Sequence, residues 1–127
     1  MSRAVADTSV FVALEAGRAL GALPDEIAVS VITAAELELG VLRAADPATR
    51  AKRLQTLTRV RTDFPLLDID GQTASWFALL ADEQLRAGRK PRRHDTWIAA
   101  CALRHGAAVI TQDADFGAFA SVEVIRV

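Results

Sequence analysis

Four carboxylates carry the pattern in this chain most able to do chemistry. They are Asp7 in Ala4-Val5-Ala6-Asp7-Thr8-Ser9, Glu36 in Thr33-Ala34-Ala35-Glu36-Leu37, Asp95 in His94-Asp95-Thr96-Trp97-Ile98, and Asp113 in Ile110-Thr111-Gln112-Asp113-Ala114-Asp115-Phe116. Each falls where a predicted strand ends or a predicted helix begins. In an open α/β sheet, ligands bind outside the carboxyl ends of the strands. Carboxylates gathered there form an oxygen-rich cage suited to Mg²⁺ or Mn²⁺, and such a cage supports metal-assisted phosphodiester cleavage.

The elements that must position these acids are short. Residues 3–6 read as a buried strand, followed by turn or cap residues Thr8-Ser9 and a short helix over 10–14. Gly17, Gly21 and Pro24-Asp25 mark a loop before a second strand at 27–30. Thr33 is expected to open a helix with Leu37, Val41 and Leu42 on one side, and Pro47 to restart one with Ala51, Leu54 and Leu57 at helical spacing. Phe64-Pro65 ends that helix and residues 66–69 read as a third strand. The segment 71–87 reads as an amphipathic helix with Ala74, Phe77, Ala78, Ala81 and Leu85 inward, closed by Gly88. Residues 95–105 read as a nearly all-apolar helix buried on several sides and ended by Gly106. A fourth strand at 107–111 and an edge strand at 122–127 complete the pattern. Alternating strands and helices with short apolar strands imply an α/β fold, a parallel sheet covered by helices.

Composition sets the frame. The 127 residues suit a single domain, 1–127. With 51% apolar and 24% charged residues, disorder is not expected. A formal net charge of −1 argues against binding nucleic acid by bulk charge alone but permits a local basic patch. One cysteine, Cys101, precludes an internal disulfide and fits a reducing cytoplasm; within its apolar run it reads as a small buried hydrophobe. No apolar run reaches the length of a membrane span, and the N-terminus reads as no secretory signal.

Every acid also has a purely structural role open to it. Asp7 and Asp95 could cap the helices that follow, Thr33 and Glu36 have capping-box spacing, and Asp113 and Asp115 suit a turn. Taken together the balance shifts: parallel strands converge these groups on one end of the sheet, where clustered like charges need a positive partner. No lysine or arginine adjoins Asp7 or Asp113 in sequence, so a divalent cation is the simpler partner. His94, His105 and Cys101 are too few for the usual zinc sets. His105 suits a helix C-terminus, while His94 could equally contact substrate or lie on the surface. Phosphate-loop, dinucleotide-binding and nucleophile-elbow motifs are absent from the sequence.

Five cations in eight residues, Arg86, Arg89, Lys90, Arg92 and Arg93, precede Asp95. Either they solvate a helix end, or Arg89, Lys90, Arg92 and Arg93 form a phosphate-binding lip that guides a nucleic-acid backbone to the metal. Arg50, Lys52, Arg53, Arg59 and Arg61 read as a solvated helix face. Trp76, Leu79 and Leu80 leave the 71–87 helix apolar on more than one side, a surface for a dimer or another partner, and Trp97 reads as core or as support for the site.

In order and spacing, Asp7-Thr8-Ser9, the block Ser30 to Gly40, Asp95 to Ala100 and Thr111 to Phe116 resemble PIN-domain ribonucleases, specifically the VapC toxins of bacterial toxin–antitoxin pairs. The resemblance runs nearly end to end. It implies a three-layer α/β/α sandwich with a central, mainly parallel sheet and a Mg²⁺- or Mn²⁺-dependent endoribonuclease. It implies Asp7 and Asp95 as primary metal ligands, Glu36 and Asp113 completing the set, Asp115 as a further candidate, and Thr111 positioning the Asp113 loop. It also implies a homodimer, a cognate VapB-type antitoxin that can place a basic side chain among the acids, and structured RNA such as transfer or ribosomal RNA as substrate. Two other classes stay open. A signalling receiver domain would need an acidic pair in the first loop and a late lysine, and this chain has neither. A catalytically idle PIN-like module would capture RNA or a partner without cutting.

Overall fold

The strands are built from small and β-branched residues that can be covered on both faces. β1 (Arg3–Ala6), β2 (Glu26–Ser30), β3 (Leu66–Leu67), β4 (Ala108–Thr111) and β5 (Val124–Arg126) form one sheet in the order β3-β2-β1-β4-β5. All four pairings are parallel, with Val5 opposite both Ala28 and Val109. The computed structural model describes residues 2–116 and 119–127. The strand order reverses beside β1, so β1 and β4 flank the point where chains leave the sheet in opposite directions, the place a ligand crevice forms.

Five helices cover the sheet: α1 (Thr8–Glu15), α2 (Val31–Leu42), α3 (Pro47–Asp63), α4 (Gly71–Arg86) and α5 (Arg93–Arg104). One core joins Val5 and Val109 to Leu80 of α4, Ile98, Ala99 and Ala102 of α5, and Phe116, Phe119 and Val122. The other joins Ala4, Ala6, Val29 and Ile110 to Val10 and Phe11 of α1 and Val60 of α3. The result is the three-layer α/β/α sandwich that the sequence suggested. Phe64, held extended by the following Pro65, ends α3 (φ −125°, ψ 142°). Gly88 and Gly106 take left-handed φ values of 75° and 63° immediately after α4 and α5, where an L side chain would be strained.

Several expected faces are rotated. On α4 the inward residues are Thr73, Leu80 and Gln84, with Phe77 and Ala81 half-buried; Ala74, Ala78 and Leu85 face outward. On α3 the buried residues are Leu57 and Val60 while Ala51 and Leu54 are exposed, and Leu42 of α2 is exposed as well. On α4 the cause is visible: its inner stripe includes Thr73 and Gln84, which satisfy their polar groups by hydrogen bonds and so can be buried. α2 starts at Val31, not Thr33, because Ser30 is the N-cap and its Oγ accepts the Thr33 N–H at 3.3 Å. This removes the Thr33–Glu36 capping-box role. α5 likewise starts at Arg93, two residues before the expected Asp95.

Candidate active site

Asp7 follows β1 directly and its N–H donates to the Ile110 carbonyl at 2.9 Å, extending the β1–β4 ladder by one step. It occupies the N-cap position of α1, yet its side chain makes no capping bond. The carboxylate is turned across the strand ends instead. Its Oδ2 accepts from Ser9 Oγ at 2.7 Å and from Thr111 Oγ1 at 2.9 Å. Those two hydroxyls in turn accept the N–H groups of Gln112 (2.9 Å, to Ser9) and Asp113 (3.0 Å, to Thr111). The same two side chains therefore orient Asp7 and fix the loop that carries Asp113. The positioning role suggested for Thr111 has this geometry, and Ser9, read from the sequence only as a turn residue, shares it.

Glu36 lies on α2 with its carboxylate turned toward α1 and α5. Oε1 accepts from Thr8 Oγ1 at 2.8 Å, and Oε2 lies 3.3 Å from His94 Nδ1. Asp113 accepts the Asp115 N–H on Oδ1 at 2.8 Å, a turn bond that leaves Oδ2 facing Arg92. Asp115 is exposed and meets the site through its backbone, its carbonyl accepting from Arg92 Nη1 at 2.6 Å.

Asp95 is the most constrained of the four. It sits in the first turn of α5, where the helix dipole favours negative charge, but Arg92 and not Asp95 is the N-cap. Its side chain is 16% exposed. Burial pushes its carboxyl up to about 6; Arg92 opposes this, while Asp7, Asp113 and Glu36 add to it by repulsion. Oδ2 is fully buried and accepts no hydrogen bond among the described residues. Arg92 Nε is 3.2 Å from that oxygen, close enough for charge attraction but out of hydrogen-bond alignment. The guanidinium thus stands between Asp95 and Asp113, with Nη2 3.9 Å from Asp113 Oδ2. The sequence placed Arg92 on an outer phosphate lip; in the structure it is the nearest positive charge to the acids. The signal was the i,i+3 spacing to Asp95, hidden by the expectation that the helix begins at Asp95.

Glu36 and Asp95 open onto a depression of about 470 Å³ that Arg92, Arg93 and His94 also line. A larger cavity, about 680 Å³, lies at the opposite end of the strands between Arg3, Glu26, Phe64 and His105. It is not the site of the chemistry: ligand crevices lie at the carboxyl ends of parallel strands, and its Arg3 and Glu26 already pair with each other at 3.1 Å. Arg93 lines the depression; Arg89, Lys90 and Arg93 are exposed and enter no ion pair among the described residues, whereas Arg86 is paired with Asp82 at 2.8 Å. Trp97 is half-buried behind the site, stacked on Phe77 with centroids 4.0 Å apart.

The donor set suits a hard divalent cation, being all carboxylate oxygen. Asp95 Oδ2 is a buried acceptor without a hydrogen bond, with the unaligned Arg92 guanidinium beside it. Among the described residues no three acidic, histidine or cysteine side chains stand ready as a complete cluster.

The PIN domain family model matches residues 4–122 of the chain. The chain belongs to the PIN-domain family and, within it, to the VapC ribonucleases. It is 48% identical to Ribonuclease VapC5 of Mycobacterium tuberculosis, covering 97% of this chain and 94% of the relative. It is 43% identical to Ribonuclease VapC4 of the same organism, covering 98% and 97%. The crystal structure of VapBC-5, a toxin–antitoxin system from Mycobacterium tuberculosis, superposes with a TM-score of 0.88 at 44% identity over all of both chains.

Proposed function

We propose that this protein is the toxin of a toxin–antitoxin pair and hydrolyses RNA phosphodiester bonds as a divalent-metal-dependent endoribonuclease. The observation that carries the reading is the linkage of acids at one end of the sheet: Ser9 and Thr111 join Asp7 to the Asp113 loop, and Arg92 stands between Asp113 and Asp95. Asp7, Glu36 and Asp95 do not cap their own helices through their side chains, so capping does not account for their placement. Asp7 and Asp95 are the primary ligands in this reading, with Glu36 and Asp113 completing the set and Asp115 a further candidate. Mg²⁺ or Mn²⁺, when bound, supplies charge neutralisation at the phosphate and acidifies a water.

The chain's own residues do the rest. Ser9 and Thr111 hold Asp7 in one orientation, and Thr8 holds Glu36. Arg89, Lys90 and Arg93 bind the RNA backbone beside the depression, and Arg92 reaches from that lip to the acids. Water is the nucleophile, so the substrate 2′-OH is not consumed. The partners proposed are structured RNA such as transfer or ribosomal RNA, a VapB-type antitoxin whose basic side chain can compensate the acids, and a second copy of the chain through the exposed apolar side of α4. The place of action is the cytoplasm, where such RNA resides.

A second reading, an idle module that holds RNA or a partner without cutting, is favoured by the Arg92 guanidinium standing between Asp95 and Asp113. One experiment separates the two. The purified chain is incubated with total RNA in Mg²⁺ or Mn²⁺, in EDTA, and as Asp95→Asn. Metal-dependent cuts bearing 5′-phosphates, absent from the variant, are expected. Ends carrying 2′,3′-cyclic phosphate would refute water attack, and intact RNA with a folded protein would leave the idle module.

A further inference from the structure

Gln84 is polar, yet it is 3% exposed in the packing between α4 and α5. Both ends of its carboxamide are engaged. Nε2 donates to Thr96 Oγ1 at 3.0 Å and to the Leu80 carbonyl at 3.3 Å. Oε1 accepts the backbone N–H of Arg92 at 3.4 Å. Thr96, fully buried, donates its own hydroxyl proton to the Arg92 carbonyl at 2.6 Å. The ring fixes the orientation of the amide: the Arg92 N–H can only donate, and the single Thr96 proton is already committed.

Arg92 is the N-cap of α5 and gives that helix no side-chain cap. Gln84 therefore ties down from α4 a helix start that Ser or Asp at the cap would normally secure locally. The point it ties down is the one that matters for the acids. The Arg92 backbone is held on both its N–H and its carbonyl, its guanidinium reaches Asp95 and Asp113, and Asp95 lies one turn along the same helix. A buried carboxamide deprived of these bonds would be unsatisfied, so the arrangement is specific to this geometry.

We propose that Gln84 is a positioning residue of the acidic site: with Thr96 it sets the start of α5 and so fixes where Asp95 and the Arg92 guanidinium meet Asp113. Its consequences for metal and RNA rest on the nuclease reading; the structural linkage does not.

The test uses the full chain with Gln84→Met, which keeps length and removes the hydrogen bonds, Thr96→Val, Thr96→Ser, and Val60→Ala as a core control on the opposite face of the sheet. Mn²⁺ affinity is measured by calorimetry, backbone amide exchange by residue, and RNA cleavage as separate kcat and KM. Gln84→Met and Thr96→Val are expected to weaken Mn²⁺ binding about 10- to 100-fold, the usual effect of losing a group that orients ligands. They should lower kcat comparably with KM within about twofold, and speed exchange at residues 92–96. Thr96→Ser keeps the hydroxyl and should restore all three. Val60→Ala should lower Tm and leave affinity and kcat unchanged. The proposal is overturned if Gln84→Met and Thr96→Val behave like Val60→Ala. If the unmodified chain neither binds Mn²⁺ nor cuts RNA, the nuclease reading fails on its own. Exchange then decides the linkage: loosening confined to 92–96 supports it, and unchanged protection overturns it.

Discussion

Replacing Asp95 by Asn should stabilise this protein in the absence of divalent metal while abolishing cleavage. The carboxyl is raised from 3.8 to about 6, first by burial and then by its acidic neighbours, with Arg92 working against the rise. A folded-state value above the unfolded one means the native state holds a proton the unfolded chain has released. The stability from this group is therefore complete below pH 3.8 and is lost as pH rises toward about 6. With the side chain 16% exposed, the gap corresponds to roughly 2–3 kcal/mol at neutral pH, already net of the attraction from Arg92. Asn resembles the protonated acid and escapes that cost, which for a domain of this size is roughly 6–12 °C in Tm. Melts in EDTA at pH 7.5 and pH 4 check this: the variant should gain at pH 7.5, and the gain should shrink toward zero at pH 4. Adding Mg²⁺ should erase most of the variant's advantage, because an ion at about 100 times its Kd adds roughly 2.7 kcal/mol to the protein that binds it. A variant less stable than the parent at pH 7.5 in EDTA, or a gain equal at both pH values, would refute the argument that this carboxylate is held against its own stability.

Three further outcomes follow from the placement of particular side chains. Alanine at Arg89, Lys90 or Arg93 should weaken RNA binding at all sequences alike. Each lost phosphate contact to single-stranded RNA should reduce the slope of log affinity against log salt by about 0.7, measured by fluorescence anisotropy across a salt series with catalytically inactive protein. Leu80→Ala should cost about 2–5 kcal/mol in urea unfolding, since Leu80 is 2% exposed, whereas Leu85→Ala, at 60% exposure, should stay within about 0.5 kcal/mol. Equal effects would return α4 to the face expected from its sequence. Leu79→Glu, on the side of α4 that leaves Leu79 61% and Trp76 37% exposed, should shift the protein from dimer to monomer in light scattering without lowering Tm of the monomer; an unchanged mass would move the dimer surface elsewhere.

The strand pattern was legible because parallel strands covered on both faces are short unbroken apolar runs, and residues 3–6 were recovered to the residue. Asp7 stood out for the same reason, as a charge that stops such a run, whereas Glu36 lies within α2 and Asp95 two residues inside α5. Helix faces were harder. α4 is apolar on two sides, and hydropathy alone cannot choose between a stripe through Leu85 and one through Leu80. The choice is made by Thr73 and Gln84, polar residues that bury only because Asp70, Leu80 and Thr96 offer them partners. Those partners lie three to twelve residues away, and nothing in the α4 pattern marks them.

Arg92 shows why a site is less legible than the elements that carry it. As one of five cations in a row, it looked like part of a phosphate lip. Its contacts are set by Asp113 and Asp115, more than twenty residues later and on the far side of β4. That placement changes the electrostatic argument. The sequence left Asp7 and Asp113 with no adjacent cation, so metal was the simpler compensator; the structure supplies one guanidinium between Asp95 and Asp113. One positive charge against four acids leaves Asp95 raised to about 6 and its Oδ2 without a hydrogen bond. A site evolved for stability alone would have closed that gap with an aligned donor or an apolar residue. That oxygen, with one unaligned guanidinium and no hydrogen bond, is what a divalent cation would relieve, and the stability lost there is the reason Asp95→Asn should melt later.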